Sequence, residues 1–145
     1  MIDKIFFDTN MIVYLFDLGE PNKRKKVTKL LHKLVDNSRL FISSQVVNEF
    51  INYSTKKIEN EITDEELKEN LQFLNELFII SSLNFSTSVE ALKIKNRYKF
   101  SFWDSLIIAA AFESDCNILY TEDLHHAQIL YSKLKIINPF IEYSL

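Results

Sequence analysis

The sequence predicts an α/β fold. The expected architecture has three layers: a central parallel sheet of about five strands, ordered 3-2-1-4-5 by position along the chain, with helices on both faces. A single domain spans residues 1–145. Three observations predict this. Short apolar runs alternate with longer segments of helical period, the pattern of a parallel sheet covered on both sides. One glycine and two prolines leave little room for linkers or long structureless loops. The length is that of one ordinary domain, enough to enclose a real core.

Residues 3–7 (DKIFF) read as a buried first strand, and residues 11–16 as a short helix after the Asp-Thr-Asn turn. In residues 22–36 the apolar positions Val27, Leu30, Leu31, Leu34 and Val35 repeat with helical spacing, giving an amphipathic helix. Residues 40–43 (LFIS) form the second strand, and Ser43-Ser44 offer an N-cap for a helix over 45–58. Thr63 with Glu66 is a capping box opening a helix to about Leu77. Residues 78–81 (FIIS) are the third strand. Thr87 with Glu90 reads as a second capping box, for a helix to about Tyr98. Ser101 with Asp104 is a third, before the apolar helix LIIAAAF. Residues 117–121 (NILYT) are the fourth strand, 125–133 a helix and 134–137 the fifth strand, broken by Asn138-Pro139.

The lone Cys116 excludes an internal disulfide and any multi-cysteine zinc site, and between a helix and an apolar strand it reads as a buried structural thiol. Asp3 and Lys4 stand too early for a secretory signal, and the longest apolar run, 106–112, is far below membrane-spanning length. A cytoplasmic protein with no membrane partner is expected. The net charge of −3 argues mildly against a nucleic-acid partner. Yet Lys23, Arg24, Lys25, Lys26 and Lys29 cluster, as do Lys93, Lys95, Arg97 and Lys99. Each run alone is compatible with a solvated helix face.

Most of the acids lie on amphipathic helix faces. Four stand in apolar surroundings instead: Asp8 after IFF, Glu49 in VVNEFI, Asp104 in FWDSLIIAAA and Asp123 after ILYTE. With the first strand central, the winding direction reverses between strands 1 and 4. Ligands of open α/β sheets sit at the carboxyl edge of such a reversal. Asp8 and Asp123 flank that crevice, and the helix starts bearing Glu49 and Asp104 can face it. Plainer roles are open to three of them. Asp8 can cap the next helix, Asp104 can close the Ser101 box, and Asp123 can be a turn acid. Glu49, set among Val46, Val47, Phe50 and Ile51, is harder to account for that way. Gathered carboxylates repel one another and persist when a hard cation compensates them, which points to Mg²⁺ or Mn²⁺ and to phosphodiester hydrolysis.

Competing chemistries lack their residues. His32, His125 and His126 form no Ser-His-Asp or Cys-His pattern, and the only glycine, Gly19, makes no phosphate-cradling loop. A haloacid-dehalogenase-type phosphatase would need an acid at Asn10. A phosphoryl-accepting receiver would need one after the third strand, where Ser81-Ser82-Leu83-Asn84 has none.

Four segments carry a family likeness: FFDTNMIVYLFD at 6–17, SSQVVNEFIN at 43–52, FSFWDSLIIAAAFESDCNILYTEDLHH at 100–126 and INPF at 137–140. With them the sequence resembles the PIN-domain nucleases, and within those the toxins of bacterial VapBC-type toxin–antitoxin modules. The resemblance implies an acidic metal-binding and catalytic set of Asp8, Glu49, Asp104 and Asp123, with Asn10, Thr121 and Glu122 in support. It implies an Mg²⁺-dependent (or Mn²⁺-dependent) endoribonuclease acting on tRNA or other structured RNA, an antitoxin partner and a homodimer. Lys23, Arg24, Lys25, Lys26, Arg97 and Lys99 are the candidate RNA-binding residues. A housekeeping RNA-processing nuclease of the same architecture is the alternative. One departure is that many relatives carry Gly shortly after the last acid, where this chain has Ala127.

Overall fold

A computed structural model of the chain describes residues 2–56 and 62–141. The elements in chain order are β1 (Asp3–Phe7), α1 (Thr9–Phe16), α2 (Pro21–Leu34), β2 (Ser38–Ser43), α3 (Ser44–Lys56), α4 (Asp64–Leu77), β3 (Ile79–Ser81), α5 (Phe85–Tyr98), α6 (Phe102–Glu113), β4 (Ile118–Tyr120), β5 (Ile129–Leu130) and β6 (Leu134–Ile137). The strands form one sheet ordered β3-β2-β1-β4-β6-β5. β1 is central and parallel to both neighbours: Ile5 lies opposite Leu40 on β2 and Ile118 on β4. Ile5, Phe6 and Phe7 are fully buried because helices cover both faces, which is why the strand reads as an unbroken apolar run. The reversal of winding falls between β1 and β4, as the sequence predicts.

The caps explain where several helices begin. Ser43 Oγ accepts the Val46 N–H at 3.5 Å, Thr63 Oγ1 accepts Glu66 N–H at 3.1 Å and Ser101 Oγ accepts Asp104 N–H at 3.1 Å. α3 is described to Lys56, so the expected extension over Lys57 and Ile58 lies outside the described residues. α6 is buried all round from Ser105 to Ala111 and emerges only at its ends.

Two expectations are corrected. Thr87 does not cap α5. Asn84 does: its Oδ1 accepts Thr87 N–H at 3.2 Å while its own N–H donates to Thr87 Oγ1 at 3.1 Å. Asn is a strong N-cap, and Thr87 fills the reciprocal third position that the sequence reading gave to Glu90. Residues 125–133 are not a helix. They form a turn-rich segment and the short strand β5, which returns antiparallel onto β6. The reversal is made by Tyr131 (φ 50°) and Ser132 (φ 55°), with Lys133 N–H donating to Leu130 O at 3.0 Å. Two successive left-handed residues are the backbone of a type I′ hairpin turn. Among the described residues the sheet therefore has six strands, with β5 as an antiparallel edge.

Candidate functional site

Asp8 ends β1 and caps α1, and it is only 6% exposed. Its Oδ1 accepts Thr9 N–H and its Oδ2 accepts the Thr121 hydroxyl, both at 2.7 Å. Thr121 follows β4 directly, and Asp8 N–H donates to Tyr120 O at 3.0 Å, so the two strand ends are tied together at the crevice. Thr121 Oγ1 also accepts Asp123 N–H at 3.1 Å. Asn10 Nδ2 donates to Asp123 Oδ2 at 2.9 Å and, more weakly, to Thr121 Oγ1 at 3.5 Å. A continuous hydrogen-bonded chain thus runs from Asp8 through Thr121 to Asp123 and Asn10.

The other two acids arrive on helices. α6 leads into β4, so its N-terminal turn lies at the carboxyl edge of the sheet and brings Asp104 there. Glu49, on α3, accepts the Thr9 hydroxyl at 2.8 Å, which places it beside Asp8. Glu49 is exposed, so its apolar sequence neighbours line the opposite face of α3 rather than enclosing it.

The electrostatics match a gathered set. Burial pushes the Asp8 carboxyl up to about 6; the Thr121 and Thr9 hydrogen bonds oppose the rise, and the charges of Asp123 and Asp104 add to it. Asp104 is raised as well, by burial first, with the Ser101 hydrogen bond opposing and Asp123 adding. Among the described residues no lysine, arginine or histidine forms an ion pair with any of the four acids. Asn10 Oδ1 is buried there without a hydrogen-bond partner.

These features fit a hard divalent cation: oxygen donors only, no counter-charge of their own, and an acceptor left over for a water. No group of three or more His, Cys, Asp or Glu side chains already stands together as a cage among the described residues.

The supporting and basic residues are placed differently from one another. Glu122 turns away from the acids. It accepts two hydrogen bonds from Lys23 Nζ, both at 2.9 Å, and one from Tyr14 at 3.0 Å. The Lys23 ammonium also lies over the rings of Tyr14 and Phe140. The Glu122 and Tyr14 hydrogen bonds hold its pKa above the usual lysine value. Lys23 is therefore engaged with Glu122 in this arrangement. Arg24 lines a groove with Asp17, Glu66 and Glu69, while Lys25 and Lys26 are exposed on α2. Arg97 lies over Tyr98 and Tyr131, and Lys99 ends α5 in the left-handed region at φ 64°. His126 Nδ1 accepts Asn138 N–H at 2.9 Å, fixing the loop after Asp123 to the end of β6. Grooves of about 480 and 500 Å³ lie elsewhere, and neither is lined by any of the four acids.

Sequence reasoning missed Thr9, which donates to both Asp8 and Glu49, although it lies within the quoted Asp-Thr-Asn turn. It also missed Tyr14, Phe140 and Gln45. Gln45 Nε2 donates to Trp103 O at 3.2 Å and so braces α3 against the turn that carries Asp104. Nothing local marks these residues, because their partners lie far away in the chain.

The PIN domain family model matches residues 5–129, and the chain belongs to the PIN domain family. No curated protein matches it. Among solved structures it is similar to FitAB bound to a DNA fragment, with 17% identity over 97% of this chain and 98% of that one and a TM-score of 0.73. It is also similar to a toxin–antitoxin complex from Klebsiella pneumoniae, with 18% identity, 94% and 98% coverage and a TM-score of 0.70. A third likeness is to VapC20 from Mycobacterium tuberculosis, a sarcin-ricin loop cleaving toxin, with 14% identity, 82% and 91% coverage and a TM-score of 0.65. At these identities the likeness is one of fold. Among the described residues no helix is long and apolar enough to cross a membrane.

Proposed function

We propose that the protein is a divalent-metal-dependent endoribonuclease, the toxin of a VapBC-like pair, cutting tRNA or another structured RNA in the cytoplasm. The observation that supports this reading is the hydrogen-bonded chain Asp8–Thr121–Asp123 at the β1–β4 crevice, with Asp104 near enough for its charge to act on Asp8. The family and the toxin–antitoxin titles among its structural likenesses support it.

Asp8, Asp104 and Asp123 are the residues that would hold Mg²⁺ or Mn²⁺, with Glu49 joining directly or through water. When bound, the cation supplies Lewis-acid stabilisation of the phosphate oxygens and acidifies a water. The protein's own residues do the rest. Thr9 N–H and the Thr121 hydroxyl fix both Asp8 oxygens and favour its ionised form. Asn10 and the Thr121 hydroxyl orient Asp123, and the unpartnered Asn10 Oδ1 is free to accept from a water. The Ser101 cap holds the turn bearing Asp104. Lys25, Lys26 and Lys99, with Arg24 and Arg97, offer cations to the RNA backbone, and Lys23 joins them if it exchanges Glu122 for phosphate.

The proposed antitoxin has a groove to cover in which Val13, Leu15, Phe16, Leu18 and Phe50 stand beside the charged Asp17, Arg24, Glu66 and Glu69, with Leu18 70% exposed. The proposed homodimer has the exposed stripe Phe85, Val89 and Leu92, on one face of α5.

The test is cleavage of a tRNA pool by purified protein with Mg²⁺, Mn²⁺ or EDTA, beside Asp104→Asn prepared identically. Discrete cuts that need the cation and vanish in the variant are expected. Equal cleavage by both proteins would remove the four-acid site from the account.

A further inference from the structure

Lys23 belongs to the basic run of α2, yet its ammonium has no donor to spare. An ammonium carries three N–H donors. Three acceptors take them here: Glu122 Oε1 and Oε2, both at 2.9 Å, and the Tyr14 hydroxyl at 3.1 Å. Tyr14 in turn donates to Glu122 Oε1 at 3.0 Å. The ring centres of Tyr14 and Phe140 lie 4.7 and 5.3 Å from the charge, so aromatic faces complete the enclosure. The Lys23 and Glu122 side chains are only 33% and 28% exposed.

A lysine enclosed in this way serves Glu122, and Glu122 shares a short stretch of chain with Asp123. The two consecutive acids are held by different partners, and α1 sorts them. Asn10 donates to Asp123 Oδ2 at 2.9 Å, while Tyr14, one turn further along the same face of α1, donates to Glu122. Thr121, just before them, donates its hydroxyl to Asp8 Oδ2 at 2.7 Å and its N–H to Ile137 O at 3.0 Å. Residues 121–123 are therefore held from the crevice on one side and from Lys23 on the other. Without Lys23, Glu122 would be a fifth free carboxylate on this edge. A cation in the crevice would attract it in competition with Asp123.

We infer that Lys23 is a positioning residue for the metal site: by pairing with Glu122 it keeps that carboxylate out of the crevice and holds Asp123 in it. This rests on the reading of the acids as a metal site. It also gives Lys23 a different task from the exposed Lys25 and Lys26, since a phosphate could reach its ammonium only by displacing Glu122.

The test is calorimetric titration of the full chain with Mn²⁺ in the absence of RNA, followed by cleavage kinetics. Lys23→Met keeps the length of the side chain and strands the Glu122 charge. It should weaken Mn²⁺ binding about tenfold, the usual scale for a residue that orients a metal ligand, with KM for RNA unchanged. Lys23→Met combined with Glu122→Gln removes the stranded charge and should recover most of the Mn²⁺ affinity. Mn²⁺ binding unchanged in Lys23→Met, or a double variant no better than the single one, overturns the inference and leaves the nuclease reading standing. A raised KM with intact Mn²⁺ binding assigns Lys23 to the RNA backbone and overturns it too. A parent protein that binds no Mn²⁺ overturns both. Should Lys23→Met fail to fold, Tyr14→Phe takes its place: it removes one of Glu122's anchors and should show a smaller loss of Mn²⁺ affinity, and no loss overturns the inference.

Discussion

The Thr121 hydroxyl donates to Asp8 Oδ2 at 2.7 Å and links two residues 113 positions apart across the β1–β4 crevice. The same oxygen accepts Asp123 N–H, so one threonine sets the position of two acids. Thr121→Val keeps the shape and removes both bonds, together with the weaker one from Asn10 Nδ2. Loss of a buried partner of this kind costs about 1–3 kcal/mol, so urea unfolding should show a destabilisation of that size. Thr121→Ser should show much less. A valine variant as stable as the parent would mean that the link contributes nothing.

Asp8 makes stability depend on pH with a definite sign. Its folded pKa of about 6 lies above the ordinary 3.8. The folded state therefore holds the proton more tightly, and Asp8's contribution to stability is full below pH 3.8 and lost as pH rises through about 6. Without added metal, Asp8→Asn should be more stable than the parent at pH 7.5 by on the order of 2–3 kcal/mol. The gap should close towards pH 4. Denaturant melts at several pH values check this, and a constant gap would contradict it.

Ala127 lies at φ 68°, in the left-handed region that favours glycine, with its N–H bonded to Ile136 O at 2.8 Å. Ala127→Gly relieves roughly 1 kcal/mol of strain, partly offset by the greater freedom of glycine in the unfolded chain. A small rise in Tm is expected, whereas Ala127→Val should lower Tm clearly. The bond and the turn are kept in the glycine variant, so cleavage should be unaffected. A lower Tm for the glycine variant would contradict the strain.

Cys116 is fully buried, and burial pushes its thiol up to about 12. The native protein should resist alkylation by iodoacetamide at pH 8 and react only when unfolded. Labelling at the rate of a free thiol would show that the segment around it opens.

The sheet order was legible because continuous apolar strands alternating with amphipathic helices leave few parallel topologies, and β1 is covered on both faces. Asp8, Asp104 and Asp123 were picked out by their apolar flanks; of the three only Asp8 is buried, while Asp104 is half-buried and Asp123 exposed. Glu49 was picked out by the same signal, and its side chain, like that of Asp123, is exposed while Val46 and Phe50 beside it are buried. The β5–β6 hairpin was not legible. Its turn is built from Tyr131 and Ser132, which carry no Asn-Gly signal, and the surrounding residues pass as a helix when their backbone angles are unknown. The Tyr14–Lys23–Glu122–Phe140 cluster was hidden for a different reason: it joins α1, α2 and two distant loops, and no periodicity links them.

The central claim is that the acids are kept at a cost to stability because they serve chemistry. Asp8→Asn measured in two ways tests it most directly: unfolding free energy at pH 7.5 without metal, and cleavage of the same RNA with Mg²⁺. The account predicts a protein that is folded, more stable than its parent and unable to cut. A variant that is less stable than the parent, or that cuts at the parent's rate, would contradict it.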